Sequence, residues 1–262
     1  MGPGTDPPPF GDPYLLDELA ANAWPALVMQ VVDGWRLRVT PGVRARRSNS
    51  VLPLAGRDEI PLADRIALVD KFYARWDATV RYQVSAAAQP PELDAVLAER
   101  GFGVEAPVHV QAAVLDEVLD RTAAAGPAPA RVSEQLEDRW LATTGALFQR
   151  SDPGTMRARV LERIGPPVGF ALLEIDGQPA SVGMGVLERG WVGIFSMGTR
   201  PQFRGRGAAT AILNALAHWA RARGAHHAYL QVEETNHPAH RVYQRAGFRA
   251  SYRYHYRAHP ER

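Results

Sequence analysis

Apolar residues along this chain fall into two kinds of run. Residues 26–32 and 35–40 are dense in valine, leucine and tryptophan and flank Asp33-Gly34. Residues 170–175 and 178–186 do the same around Asp176-Gly177. Asp-Gly between two apolar runs predicts a β-hairpin, because a type I′ turn needs positive φ at both central positions. The other kind has a period near 3.6. Ala209, Ile212, Leu213, Leu216, Trp219 and Ala220 recur at helical spacing and predict an amphipathic helix over 207–223. Around it the pattern predicts helices over 133–149 and 155–164 and strands near 168–175, 178–187 and 191–198. After it come a strand at 227–233, a short helix at 237–246 and a last strand at 248–257. A strand–helix–strand unit demands a right-handed crossover and a parallel pair. Antiparallel strands followed by one such unit make a mixed α/β sheet.

The first half of the chain carries the same order. Strand 80–84, helix 91–100 and Gly101-Phe102 correspond to strand 228–232, helix 238–246 and Gly247-Phe248. From the hairpin glycine to the stop glycine is 67 residues in one half (34 to 101) and 70 in the other (177 to 247). This spacing reads as a diverged internal repeat. Residues 1–13, with five prolines and three glycines, read as a flexible lead-in, and 122–131, uncharged up to Ala130, as a linker. The expected organisation is thus a tail (1–13), a first α/β half (14–121), a linker (122–131) and a second α/β half (132–262).

Composition narrows the functional classes. The 262 residues are 46% hydrophobic, enough for a sizeable core. There is no cysteine, which removes disulfides, a thiol nucleophile and thiolate metal sites. No run of 18 apolar residues exists and the N-terminus has no basic or apolar leader, so a cytoplasmic protein off the membrane is expected. Net charge is +2, and of the 30 basic residues only Lys71 is lysine. The one basic cluster, Arg44, Arg46 and Arg47, is too small for a nucleic-acid footprint. His226, His227, His237 and His240 fit no zinc spacing, so no metal is expected.

The segment that points to chemistry is 197–210, Met-Gly-Thr-Arg-Pro-Gln-Phe-Arg-Gly-Arg-Gly-Ala-Ala-Thr, between a strand and the amphipathic helix. Gly205 and Gly207 admit backbone conformations closed to other residues. Successive N–H groups at a helix start, aided by the helix dipole, favour an anion such as a pyrophosphate. A dinucleotide fingerprint fails because Thr210 stands where a third glycine belongs, and a Walker A loop fails for want of Gly-Lys-Ser/Thr. A glycine-rich surface turn is the alternative reading of this loop taken alone.

Some 30 residues on stand Asn236, Ala239, Tyr243, Gly247 and Phe248. With the Arg204-Gly-Arg-Gly-Ala-Ala209 turn, this order resembles the GCN5-related N-acetyltransferase superfamily, whose signature joins Gln/Arg-x-x-Gly-x-Gly/Ala to Asn-x-x-Ala-x-x-x-Tyr-x-x-x-Gly-Phe. The resemblance covers about 130–260. It implies a mixed-sheet fold built here as two related halves, the C-terminal one complete. It implies acetyl-coenzyme A as acyl donor, held between strands 191–198 and 227–233. Its pantetheine would lie along Phe195, Met197, Gly198 and Thr199, and its pyrophosphate on Arg204, Gly205, Arg206, Gly207, Ala208 and Ala209. Asn236 is both an N-cap in its own right and, by resemblance, a cofactor contact. Tyr243 would be the general acid towards the thioester sulfur. Glu233 is the candidate base, with Glu234 and a water chain as alternatives. An N–H near Met197 or Gly198 would face the oxyanion.

In the first half Leu97 stands where Tyr243 does, and 50–68 has no comparable glycine turn. That half is expected to lack both cradle and acid and to shape the acceptor pocket, with Arg36, Arg38, Arg44, Arg46, Arg47 and Asn49 as candidate contacts. The expected activity is acetyl-CoA-dependent N-acyl transfer to a small-molecule or protein amine. A non-catalytic acyl-CoA-binding sensor is the second reading.

Overall fold

Both Asp-Gly pairs close hairpins. In the computed structural model, which describes residues 10–124, 126–148 and 154–259, Asp33 and Gly34 have φ of 43° and 83°, and Asp176 and Gly177 have 52° and 72°. They join β1 (Val28–Val32) to β2 (Trp35–Val39) and β7 (Val168–Ile175) to β8 (Gln178–Glu188). Residues 1–9 of the expected lead-in, Ala125 of the expected linker and Gln149 of the first expected helix lie outside the described residues.

The first half opens on α1 (Pro13–Ala23), started by the Asp12 carboxylate, which accepts from the N–H of Tyr14. After the first hairpin come β3 (Val51–Pro53), α2 (Leu62–Ala74), β4 (Arg81–Val84), α3 (Leu93–Glu99), β5 (Gly103–Val114) and α4 (Leu115–Thr122). The second half has β6 (Arg131–Ser133), α5 (Asp138–Phe148), α6 (Gly154–Leu161), the second hairpin and β9 (Trp191–Thr199). It ends with α7 (Ala208–Arg221), β10 (His227–Glu233), α8 (His237–Arg245) and β11 (Arg249–Ala258). One expected boundary is corrected. Residue 133 ends the short edge strand β6, paired with β7, and the helix begins only at Asp138.

All eleven strands form one mixed sheet, in the order β1-β2-β3-β4-β11-β5-β10-β9-β8-β7-β6. The parallel pairs are β3–β4 and β9–β10, the latter across the strand–helix–strand unit read from the sequence. The middle of the order shows an exchange. β5 of the first half lies between β10 and β11, and β11 of the second half lies between β4 and β5. Each half therefore supplies the other with its last strand, and residues far apart in sequence meet at the centre.

The sheet is buried on both faces, which explains the near-continuous apolar run at 170–173. Ala171 and Leu173 face one core with α4, α7 and α8; Phe170 and Leu172 face another with α1, α5 and α6. A third core around Trp35, Tyr73, Tyr82 and Leu97 holds α2 and α3. Helix α7 lies close on β8 because β8 offers glycine. A methyl group at Gly183 would stand 2.5 Å from Ile212 Cγ2 and 2.6 Å from Met197 Sδ.

Candidate active site

Strands β9 and β10 part company halfway along. Their register runs from His227 opposite Trp191 to Leu230 opposite Ile194 and stops, although β9 continues to Thr199 and β10 to Glu233. The cause is a β-bulge. Between Val182–Gly198 and Met184–Phe195, β9 fits one residue more than β8, and Ser196 takes φ of 51°. A bulge bends its strand and sharpens the twist. Here it turns β9 away from β10 and leaves an unpaired strand edge at 195–199. The opposing Gly183 carbonyl accepts from the indole Nε1 of Trp140 at 3.1 Å.

A cavity of about 320 Å³ opens at this splay. Ile194, Val232 and Tyr243 reach it from the α7/α8 core, and Trp24, Phe195, Tyr254 and Tyr256 from the α1/α5/α6 core. The opening thus passes between the strands from one face of the sheet to the other. The exchange brings Val108 of β5 and Tyr254 and Tyr256 of β11 into its wall.

Four second-half residues singled out from the sequence line it: Met197, Glu233, Asn236 and Tyr243. Tyr243 sits on α8, 9% exposed, against Phe248. Its hydroxyl has no hydrogen-bond partner among the described residues, and burial pushes its pKa up to about 12. It keeps its proton at neutral pH and is available as a donor. Asn236 caps α8, its Oδ1 accepting from Ala239 N at 3.3 Å. Glu233 ends β10 at the mouth, 58% exposed, with its carboxylate 3.3 Å from Arg46. Strand alternation sends Glu234 to the other side, towards His109 and Arg253.

Gly198, Thr199 and 204–209 lie beyond the cavity, on the strand end and the turn into α7. Gly205 and Gly207 take φ of 76° and 78°, and Gly207 is the N-cap with no side-chain cap. The N–H groups of Gly205, Arg206 and Gly207 make no backbone hydrogen bond among the described residues. Those of Ala208, Ala209 and Thr210 are first-turn donors without a helical partner. A Cβ at Gly205 would meet open space, whereas one at Gly207 would lie 3.2 Å from the backbone of Gly126, which packs along the first turn of α7. Unpartnered donors, positive-φ glycines and the helix dipole fit a pyrophosphate, and the free edge of β9 fits an extended chain added like a strand.

Of the first-half candidates, Arg44, Arg46 and Arg47 line the cavity. Arg36 instead pairs with Glu18, and Arg38 is buried against Ser50 and Gln83. Asn49 shapes the arginine loop, accepting from Thr40 N and donating to the Val43 and Ala45 carbonyls. Sequence reasoning missed Tyr254 and Tyr256, although tyrosine at every second position of 252–256 is the period-two signal of one strand face. Trp24, Phe148 and Arg157 carry no local signal of their place here.

A family model described as "Probable histone acetyltransferase Rv0428c C-terminal" matches residues 15–257. The chain belongs to this acetyltransferase family. It is a GCN5-related N-acetyltransferase, as its motifs imply. The "Uncharacterized N-acetyltransferase YobR" of Bacillus subtilis (strain 168) is 25% identical over 246 residues, 92% of this chain and 96% of that protein. A GCN5-related N-acetyltransferase from Kribbella flavida superposes with a TM-score of 0.72 at 16% identity over 97% of each chain. A tandem GNAT protein from the clavulanic acid biosynthesis pathway superposes at 0.67 and 16% identity, over 94% of this acetyltransferase and 89% of that chain. No helix among the described residues is long and apolar enough to cross a membrane.

Proposed function

We propose that this acetyltransferase moves an acetyl group from acetyl-coenzyme A to an amine at the splay between β9 and β10. The observation that carries the reading is the parting of these strands beside a buried, unpartnered tyrosine, next to a glycine turn with free N–H donors. Residues 204–209 would hold the pyrophosphate, Met197, Gly198 and Thr199 the pantetheine, and Asn236 would flank it from the start of α8. The bound thioester supplies an activated acyl carbon. The first half acts as a degenerate repeat without a donor site of its own, serving as a wall for the acceptor.

The residues' own contributions follow from their settings. Transfer forms a C–N bond, breaks a C–S bond, takes a proton from the amine and returns one to the sulfur. Tyr243 holds the proton for the sulfur, because burial keeps its hydroxyl neutral. An N–H at Met197 or Gly198 on the unpaired edge faces the oxygen that gains charge. Glu233 takes the amine proton at the mouth once Arg46 releases it.

Turnover is read as free thiol released from acetyl-CoA with an amine panel. Tyr243→Phe is expected to lower kcat about 100-fold or more, with the calorimetric affinity for acetyl-CoA within about 3-fold, since no hydroxyl contact to the carrier is lost before transfer. Unchanged turnover would remove Tyr243 from its role.

A further inference from the structure

Helix α8 carries Tyr243 but is held by little packing. It has nine residues, and Tyr243 is its one buried side chain. A helix this short is marginal on its own. Ala239 and Val242 pack partly buried on the α7/α8 core, and polar ties do the rest. Two of these converge on the Glu233 carbonyl at the end of β10. It accepts from Asn236 N at 2.9 Å and stands 3.2 Å from His240 Nε2. A carbonyl only accepts, so Nε2 carries the proton of this bond. In the neutral ring Nδ1 is then an acceptor, and Gln111 Nε2 donates to it at 3.1 Å. His240 is thus a bridge between three elements. It joins α8, with Tyr243 one turn further on, to the strand end that bears Glu233. It joins both to β5, the strand supplied by the first half.

The bridge is not a device for stability. Gln111 is 8% exposed, and its Oε1 is buried without a hydrogen-bond partner among the described residues. Such an acceptor destabilises the fold, and an apolar side chain of similar size would not. A local rule broken in this way marks function rather than folding. His240 does not itself line the cavity, and both of its ring nitrogens are engaged. It faces a second hollow beside α4 and β11, where Glu117 is already paired with Arg121 and Arg249. On its other side the His109 ring stands edge-to-face at 5.1 Å.

We propose that His240 is a positioning residue for the transfer and that Gln111 fixes its ring. The Nε2–H holds the end of β10 against α8. It thereby sets where Tyr243, which gives a proton, stands relative to Glu233, which takes one. The inference rests on the reading of this cavity as the acetyl-transfer site. It gives the first half a part in ordering the site, beyond its part in the wall.

The test uses the full chain and the amine of the panel that turns over fastest. Thiol release gives kcat and KM, calorimetry the affinity for acetyl-CoA, and urea unfolding the stability. His240→Ala is expected to lower kcat about 10-fold, since a small misplacement of reacting groups suffices. Its affinity for acetyl-CoA should stay within about 3-fold, because the turn at 204–209 leads into α7 and not α8. Two further variants divide the two bonds of the ring. The amide nitrogen of glutamine reaches the Nε2 position and restores the bond to Glu233. The amide oxygen of asparagine reaches only the Nδ1 position and keeps the bond to Gln111. His240→Gln is therefore expected to return kcat to within about 3-fold of the wild type, and His240→Asn to stay near His240→Ala. Gln111→Leu is expected to lose about 5-fold in kcat while unfolding at the same urea concentration as the wild type or a higher one. A merely structural role would lower stability and activity together. Unchanged kcat in His240→Ala, no difference between His240→Gln and His240→Asn, or a loss in Gln111→Leu matched by lost stability would overturn the inference. Should His240→Ala fail to fold, the glutamine and asparagine variants decide. A wild type that releases no thiol with any amine would overturn the transferase reading, and this inference with it. A wild type that turns over beside an equally active His240→Ala would overturn this inference alone.

Discussion

The two parallel strand pairs of this sheet meet the same opportunity in opposite ways. At β9–β10 a bulge opens the strands and the gap stays open. At β3–β4 a single register pair, Val51 with Tyr82, survives, and the protein fills the gap itself. Gln89 N donates to the Pro53 carbonyl at 2.8 Å, and the Gln89 carbonyl accepts from the indole of Trp35 at 2.8 Å. Leu93, Leu97 and Phe102 pack in behind. The turns before the following helices differ in the same sense. Before α7 the N–H groups of 205–207 have no backbone partner among the described residues. Before α2 the Asp33 carboxylate accepts from Arg57 N at 2.8 Å and Ile60 N at 3.3 Å, and the buried Arg65 stands 3.6 Å from it. An external anion can be bound only where backbone donors are left without an internal one.

The strongest way to break this comparison is to attack the self-filled turn. Arg65 is 3% exposed; it meets Asp33, Asp58 and the Ile60 carbonyl and lies over Trp35. Arg65→Ala is expected to cost about 3 kcal/mol in urea unfolding, the scale for breaking a buried pair from one side. It is not expected to create a second donor site, because Gln89 and Leu97 still close the gap. Calorimetry should give one acetyl-CoA per chain in both proteins, and a stoichiometry of two in either would refute the contrast.

A second buried acid of the first half sharpens the point. Asp17 of α1 meets Ser85 Oγ at 2.5 Å and Tyr252 of the exchanged strand at 2.7 Å, with no arginine in hydrogen-bond contact among the described residues. Burial outweighs these bonds and pushes its pKa up to about 6, from an ordinary 3.8. The folded state therefore keeps this proton up to about pH 6, while the unfolded chain loses it near pH 4. Stability should fall as pH rises from 4 to 6, by up to about 3 kcal/mol, and stay at the lower level above. Asp17→Asn should remove that slope in denaturation curves taken across this range, and an identical slope in both proteins would clear Asp17.

Much of this was legible in the sequence, for local reasons. Asp-Gly turns, the helical stripe at 209–220 and the cap at Asn236 are set by neighbours within a few residues, and the structure has them at the expected places. The glycine turn and Tyr243 were legible because their spacing is itself a motif. What could not be read is long-range. The exchange of β5 and β11 depends on which partner a strand finds across the whole chain, so nothing near Tyr254 or Val108 announces the cavity. The bulge at Ser196 was equally silent, since serine carries no sign that it will take positive φ. Arg44, Arg46 and Arg47 were visible as a cluster, but which acids face them was not. Glu105 and Glu233 reach Arg46 from strands more than 50 residues away in the sequence.

The smallest expected effect tests the open turn most directly. Gly207 has φ of 78°, and a Cβ there would approach the Gly126 backbone at 3.2 Å. Gly207→Ala therefore combines a left-handed conformation, about 1–2 kcal/mol unfavourable for an L-residue, with crowding by an atom that cannot swing aside. Relaxation towards negative φ would turn the N–H groups of Gly207 and Ala208 out of their common concavity. Affinity for acetyl-CoA should then fall about 10-fold, with a modest loss of stability. Gly205→Ala, at φ of 76° but facing open space, should show the conformational part alone and a smaller loss. Equal losses at both positions would mean that crowding by Gly126 plays no part, and no loss at either would mean that these donors do not hold the carrier.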